Sequence, residues 1–175
     1  MIKKAIVLTS IVASVVGFKS LAETTSQTES IKISAEASCL ADNIYFEALG
    51  QPIAGQVAVA LVVRNRVNDA RFPNTVCEVV FQGPTSKWWK ETHNKDVPIR
   101  NRCQFSWYCD GKSDNIRDRL AYAKLYLLAQ KVLDGRYDGM IEGATHYHAT
   151  YVSPFWINQK TYVAQIGDHI FYRWD

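Results

Sequence analysis

Residues 57–63 read V-A-V-A-L-V-V, and every one of these positions is apolar. A helix that is hydrophobic on all sides must be buried on all sides, so this run predicts the central helix of a folded domain. With Pro52 just before it, we expect the helix over residues 53–68. Residues 64–66, R-N-R, are expected to emerge toward one end of it. A chain of 175 residues with 47% hydrophobic residues is long enough to surround such a helix.

A helix is also predicted on the N-terminal side of this segment, over residues 36–48. Leu40, Ile44 and Glu47 are spaced i, i+4 and i+7, so they share one helix face. Gly50 is expected to end this helix in the left-handed conformation. Glu47 is unusual there, because a carboxyl group on a packed face loses hydration unless something compensates.

Two further helices are predicted downstream. One covers residues 75–81, where Thr75 and Glu78 have the spacing of a capping box. The other covers residues 116–133 and is ended by Gly135. Its expected apolar face consists of Ile116, Leu120, Ala123 and Leu127.

The remaining segments contain an irregular region and a small sheet. Residues 82–115 are predicted to be a long ordered loop, a feature that is often functional. Residues 145–150, 161–166 and 169–172 have the composition of β-strands. The fold class is therefore α+β, a mostly helical domain with a small antiparallel sheet.

The N-terminus is predicted to be removed on export. Residues 1–22 combine a basic start, a short apolar run and a small-x-small exit, as in a secretory signal peptide. An uncleaved anchor is the competing interpretation. Residues 23–35 are polar and are interpreted as a flexible leader, and residues 36–175 as the functional domain. We expect an exported, periplasmic or cell-envelope protein without a stable membrane span after cleavage.

Charge gives little indication of a partner. The chain carries 20 basic and 17 acidic residues. Removal of residues 1–22 deletes three lysines, Lys3, Lys4 and Lys19, and no acidic residue, which leaves 17 of each sign. A neutral domain lacks the basic surface expected for nucleic-acid binding.

The four cysteines, Cys39, Cys77, Cys103 and Cys109, suggest two disulfides in an exported chain. Three pairings are possible. We favour Cys103–Cys109, which closes a short loop, together with Cys39–Cys77, which would tie two helices. Zinc binding is the weaker interpretation because no C-x-x-C spacing occurs.

Several catalytic classes lack their signatures. The chain contains no G-x-S-x-G, no P-loop motif and no G-x-G-x-x-G, so nucleophile elbows and nucleotide binding have no support. His146 and His148 point to one face of a predicted strand and resemble half of a metal site, but no acidic ligand stands at a recognisable spacing. No metal and no cofactor are predicted.

Glu47 is the strongest candidate for chemistry. Desolvation would raise its pKa and make it a general acid near neutral pH. Aromatic side chains in residues 88–89 (W-W) and 104–108 (Q-F-S-W-Y) suit ligands that have both apolar faces and polar edges, such as sugars, although they also fill cores.

Together these segments resemble the SleB-type cell-wall hydrolases. The likeness lies in residues 43–67, 72–82, 103–111, 143–156 and 166–172, and it extends over about residues 38–173. It implies a lysozyme-like fold and cleavage of peptidoglycan between N-acetylmuramic acid and N-acetylglucosamine. The family's Y-x-E-A-x-G motif falls on residues 45–50, which implies that Glu47 is the catalytic acid. Leu49 departs from the pattern, since relatives commonly have Arg there.

The resemblance leaves the reaction type open. A single carboxyl group favours a lytic transglycosylase over a muramidase-type hydrolase, because the sugar's own 6-hydroxyl can attack. Asp110 and Asp168 are the possible second carboxylates. Two further functions compete with glycan cleavage: a zinc amidase acting on the peptide stem, and a non-catalytic wall-binding module. The predicted substrate-binding residues are Gln104, Phe105 and Ser106 along one wall, with Tyr147, His148 and Tyr162 along the opposite wall. Whether a protein partner activates the enzyme is not indicated.

Overall fold

Five helices and a three-stranded sheet make up the described part of the chain. The computed structural model describes Gln27 and residues 35–175, so the predicted signal peptide lies outside the described residues, as does nearly all of the predicted leader. The helices are α1 (residues 35–48), α2 (Ile53–Val67), α3 (Val76–Val80), α4 (Lys87–His93) and α5 (Arg119–Leu133). The strands are β1 (His146–Ala149), β2 (Thr161–Ile166) and β3 (His169–Arg173), and short 3₁₀ turns cover Ser106–Cys109 and Ile157–Gln159.

Helix α2 is the centre of the core, as its sequence predicts. Each residue from 57 to 63 is at most 3% exposed, and the helix packs against α3, α5 and β2. Arg66, near the C-terminal end of α2, is buried although it is charged, and it is only 5% exposed. Its Nε donates to the Thr145 carbonyl at 2.8 Å. This partner comes from a distant segment, which the local pattern could not indicate.

Helix α1 contributes Leu40 and Ile44, both fully buried, to the same core cluster as α2. Its C-terminal end at residue 48 agrees with the prediction. The predicted role of Gly50 is wrong, since Gly50 is not among the residues with positive φ. The chain instead turns through residues 49–50 with a hydrogen bond from Gln51 N to the Ala48 carbonyl, 3.0 Å long.

Two disulfides join the helical part, in the pairing that the sequence favoured. Cys39–Cys77 connects α1 to α3, and Cys103–Cys109 closes a loop of the 82–115 region. The predicted cap of α3 is also present, because the Thr75 hydroxyl accepts from Glu78 N at 3.3 Å.

The predicted helix α5 is present, but it buries a different face from the one expected. Leu120 and Leu127 are 71% and 57% exposed. The buried residues are Leu125, Ala129 and Val132. Both sides of this helix carry apolar residues, so periodicity alone could not choose between them. The helix begins at Arg119 rather than 116, after Asp118, whose side chain accepts from Ala121 N at 2.9 Å.

The region 82–115 is less irregular than predicted, because it contains α4. Ser86 caps the start of this helix and Asn94, at φ 50°, ends it. No residue of α4 is buried. A search of the sequence for a helix with one apolar face therefore could not identify it. None of the helices in the described part of the chain is long and apolar enough to cross a membrane.

The sheet is antiparallel with strand order β1-β3-β2, as predicted for a small sheet on a helical body. Its inner face carries Tyr147 and His169 together with fully buried Phe171. Its outer face carries His148 and Tyr172, whose rings stack 5.4 Å apart. Neighbouring residues of a strand point to opposite faces, so Tyr147 and His148 cannot line the same wall.

Candidate active site

Glu47 lies in the last turn of α1 and is partly exposed. The Tyr147 hydroxyl donates to its Oε2 at 2.9 Å. Burial raises the pKa of Glu47, while the hydrogen bond from Tyr147 and the charge of Arg66 partly oppose that rise. Glu47 therefore holds its proton to a higher pH than an ordinary glutamate, which is what a general acid requires.

Tyr147 joins the sheet to this helix end. Its ring lies 5.0 Å from His169 and 5.6 Å from Phe171 on the inner face of the sheet. Burial raises the pKa of Tyr147 well above its ordinary value, and the nearby Glu47 raises it further. The hydroxyl therefore keeps its proton and acts as a fixed hydrogen-bond donor to Glu47.

Arg66 supplies a buried positive charge beside this pair, and the sequence reasoning missed it. Its guanidinium lies 5.2 Å from the ring centre of Phe72 and 5.1 Å from that of Phe105. Its Nη1 is buried and has no hydrogen-bond partner in the described part of the chain. The sequence feature that could have indicated a buried charge is the position of Arg66, three residues after the uninterrupted apolar run of residues 57–63.

Gln51, four residues after Glu47, forms two hydrogen bonds to the turn between β2 and β3. Its Nε2 donates to Asp168 Oδ2 at 3.1 Å, and Asp168 N donates to its Oε1 at 2.9 Å. Gly167 precedes Asp168 with φ 59°, and a Cβ there would overlap Gln51 Oε1. A glycine is thus needed both for the turn and for the approach of Gln51.

The residues predicted to bind substrate are only partly brought together. Tyr147 contacts Glu47. Phe105 is 2% exposed and lies in the core beneath Arg66, so its side chain lines no open wall. Gln104 and Ser106 flank it and are exposed.

The expectation that His148 and Tyr162 line the wall with Tyr147 is not met by the sheet geometry. Tyr162 is 59% exposed and its ring lies 6.2 Å from that of Tyr172, on the outer face. His148 is buried on that same face, with Nε2 3.1 Å from the Tyr172 hydroxyl and Nδ1 2.8 Å from the Ala149 carbonyl. Both His148 nitrogens are therefore engaged within the protein.

His146, two residues before His148 on β1, also has a hydrogen-bond partner within the protein. His146 Nδ1 lies 2.9 Å from the Thr145 hydroxyl. Burial, aided by nearby Lys160, lowers the pKa of His146 to about 4. Within residues 35–175, no cluster of three His, Cys, Asp or Glu side chains is arranged to hold a metal ion.

The two aspartates considered as second carboxylates have structural partners. Asp168 is bonded to Gln51. Asp110 accepts from Lys112 N at 2.7 Å and pairs with the Lys112 ammonium at 3.4 Å. The charged group that affects Glu47 is the cation Arg66, not a carboxylate.

An open groove of about 540 Å³ lies beside the end of α1. It is lined by α2 and α5 side chains and begins at Leu49, two residues after Glu47, without including Glu47 itself. Two lysines, Lys124 and Lys131, also line this groove.

The fold and the site define a helical domain in which a small sheet holds one partly buried glutamate as a candidate acid. The chain belongs to the cell wall hydrolase family, whose model matches residues 50–172. The match confirms the resemblance seen in the sequence, although it starts three residues after Glu47.

Solved structures and curated proteins agree with this membership. The catalytic domain of the germination-specific lytic transglycosylase SleB from Bacillus anthracis is 29% identical with a TM-score of 0.56, over 79% of this chain and 93% of that chain. The catalytic domain of Bacillus cereus SleB gives 29% and 0.54, over 79% of this chain and 89% of that chain. The predicted fold class is thereby confirmed.

Among curated proteins, the spore cortex-lytic enzyme of Bacillus cereus is 54% identical over 43 residues, which cover 25% of this chain and 17% of that protein. The Bacillus subtilis enzyme is 51% identical over 43 residues, 25% of this chain and 14% of that protein. The chain thus covers less than a fifth of the length of these relatives.

Proposed function

We propose that this protein cleaves the glycan strands of peptidoglycan between N-acetylmuramic acid and N-acetylglucosamine, as a lytic transglycosylase with Glu47 as its single acid and base. Family membership supports a wall substrate, and the lytic transglycosylase activity of the similar Bacillus anthracis domain supports the reaction type. The observation that carries the proposal is the Glu47 carboxyl group, partly desolvated, hydrogen-bonded by Tyr147 and raised in pKa.

In the first step Glu47 donates its proton to the glycosidic oxygen while the bond from that oxygen to C1 of the muramoyl sugar breaks. The negative charge left on Glu47 is stabilised by the Tyr147 hydroxyl and by Arg66, both of which favour the ionised form. Desolvation therefore favours the acid before the step, and these two groups stabilise the carboxylate after it.

In the second step the carboxylate of Glu47 acts as the base. It takes the proton of the 6-hydroxyl of the same muramoyl sugar as that oxygen bonds to C1. The product is a 1,6-anhydro end, Glu47 is protonated again, and no water is consumed. A water molecule in place of the 6-hydroxyl would give a reducing end, which is the muramidase outcome.

The proposal includes an exported protein, since its substrate lies outside the cytoplasm. Residues 1–22 carry the features of a signal peptide, and two disulfides suit an oxidising compartment such as the periplasm.

The decisive experiment compares wild-type protein with Glu47→Gln on purified sacculi. We expect muropeptide release to fall by at least a hundredfold while folding and sacculus binding persist, because a general acid contributes about 10²–10⁴ in rate. Glu91→Gln, which changes an exposed glutamate of α4, is the matched control and should retain full activity. Full activity of Glu47→Gln would discard the proposal.

The same reactions separate the competing functions. Mass spectrometry of wild-type products distinguishes anhydro from reducing ends. Loss of activity on chelation, with cuts at the peptide stem, would identify a zinc amidase. Sacculus binding without any product from the wild-type protein would identify a binding module.

A further inference from the structure

The loop between β1 and β2 exposes two aromatic rings almost completely. Phe155 is 89% exposed and Tyr151 is 87% exposed, the highest values among the large apolar side chains at the surface of the described domain. Val152, on the same loop, is 46% exposed. Apolar groups presented together at a surface commonly mark a binding site.

The loop contains two hydrogen-bonded turns and is packed against the sheet by one side chain. Val152 N donates to the Ala149 carbonyl at 2.9 Å, and Ile157 N donates to the Pro154 carbonyl at 3.3 Å. Trp156, next to Phe155, packs against the rings of His146 and His148 at 5.5 and 5.8 Å. The two exposed rings therefore project from an ordered backbone, which lowers the entropic cost of binding through them.

The loop also belongs to the same end of the sheet as the candidate active site. Thr150 N donates to the Asp168 carbonyl at 2.8 Å, and Asp168 is the residue fastened by Gln51 just after Glu47. Tyr151 follows Tyr147 by four residues, so their Cα atoms are at most about 14 Å apart. Because Trp156 packs on the outer face of the sheet, a polymer that contacts both Glu47 and the loop would pass around this end of the sheet.

The chemistry of the loop favours a sugar polymer over a lipid surface. Residues 150–156 read T-Y-V-S-P-F-W and contain no charged side chain, and the single cation of the β1–β2 loop, Lys160, lies over the rings of Trp156 and Trp174. Attraction to anionic lipid relies on Lys and Arg. Pyranose rings have apolar C–H faces that stack on aromatic rings, and their hydroxyls can bond to Thr150 and Ser153, both of which are exposed.

We propose that the loop of residues 150–156 is a second contact for the glycan strand, in which Tyr151 and Phe155 hold sugars beyond the one cleaved at Glu47. This deepens the proposed function and rests on it. The loop raises the affinity for polymeric substrate and takes no part in the bond cleavage.

The test uses the full chain with Tyr151→Ala and Phe155→Ala combined. In the Glu47→Gln background, co-sedimentation with sacculi should weaken about tenfold, as expected for the loss of two stacking contacts. In the active background, KM for sacculi should rise while kcat is retained. Tyr151→Phe with Phe155→Tyr should restore binding. Leu120→Ala, which removes a 71% exposed side chain from α5, is the matched control and should bind as the parent protein does.

Three results would overturn the inference. The double variant could sediment like its parent. Leu120→Ala could weaken binding equally, which would indicate nonspecific binding through exposed apolar side chains. Alternatively, the double variant could keep sacculus binding and lose binding to vesicles of anionic phospholipid, which would make the loop a membrane contact. Activity of Glu47→Gln in the same assay reports on the proposed function separately, so the two failures are distinguishable.

Discussion

The Tyr147 hydroxyl donates a 2.9 Å hydrogen bond to the Glu47 carboxylate across 100 residues of sequence. Tyr147 lies on β1 and Glu47 lies at the end of α1, so this contact joins the sheet to the helical body at the candidate active site. It also favours the ionised form of Glu47, opposing the effect of burial.

Removing that hydroxyl with Tyr147→Phe should raise the pKa of Glu47 further, because a group that stabilises the carboxylate is lost. Activity requires protonated Glu47, so the alkaline limb of the pH–rate profile should move up by about 1 pH unit. The maximal rate should fall roughly tenfold, since the carboxylate formed on proton donation loses its donor. Muropeptide release measured from about pH 4 to about pH 9 checks both effects.

Tyr172→Phe is the matched control for this change. It deletes a hydroxyl bonded to His148 on the opposite face of the same sheet, so its pH profile should follow that of the wild type. A Tyr147→Phe profile with an unmoved alkaline limb would mean that Glu47 does not control that limb.

Two arginines of α2 should respond very differently to the same change. Arg66→Lys keeps a charge but loses the Nε bond to Thr145 and the planar contacts with two rings. We expect a loss of about 2–3 kcal/mol in the free energy of unfolding. Arg64→Lys alters an exposed ion pair with Asp138 and should cost less than about 1 kcal/mol. Urea denaturation measures both, and equal costs would contradict the buried role of Arg66.

Gly167→Ala should damage the site through Gln51. The residue would be strained at φ 59°, and its Cβ would displace the Gln51 oxygen that accepts from Asp168 N. Gly139 has φ 81° with open space around it, so Gly139→Ala carries only the backbone cost of about 1–2 kcal/mol. We expect Gly167→Ala to be the less stable and the less active of the two. Thermal melts and sacculus digestion provide the comparison, and matching values would show that Gln51 does not support the site.

The two disulfides should contribute unequally to stability. Cys39–Cys77 closes a separation of 38 residues and Cys103–Cys109 one of 6. Chain entropy then assigns about 4 kcal/mol to the first and about 2 kcal/mol to the second. Paired Cys→Ser variants compared by urea denaturation should show that order, and the reverse order would indicate that local strain or residual structure outweighs loop closure.

Much of the helical framework was predictable because it depends on short-range patterns. The run at residues 57–63 identified α2, and the T-x-x-E spacing at Thr75 identified the cap of α3. Helix α4 was missed because none of its residues is buried, so it has no buried apolar face for the sequence to reveal. The buried face of α5 was chosen wrongly because that helix has apolar residues on two sides, and only contact with α2 selects one of them.

The candidate site was likewise predicted only in part. Glu47 was identified from its position among apolar neighbours and from the resemblance, and its assigned role remains a prediction. Tyr147 was predicted to line a substrate wall, and the structure shows it bonded to Glu47. His148 was predicted on that same wall, but alternation along the strand sends it to the opposite face. Neither Arg66 nor Gln51 was assigned to the site, since each bonds to a partner that is distant in sequence.

The sequence by itself determined four of the five helices of the described part of the chain, the apolar run that forms the core and the carboxyl group that stands among apolar neighbours, since these follow from composition and spacing within a few turns of chain. The tertiary structure alone decided that Tyr147 and Arg66 meet Glu47 and that Gln51 holds the turn at Asp168. Burial raises the pKa of Glu47, and Tyr147 and Arg66 partly oppose that rise. The hydrogen bonds that hold Tyr147, Arg66 and Gln51 in place form only when segments 79 to 117 residues apart pack together.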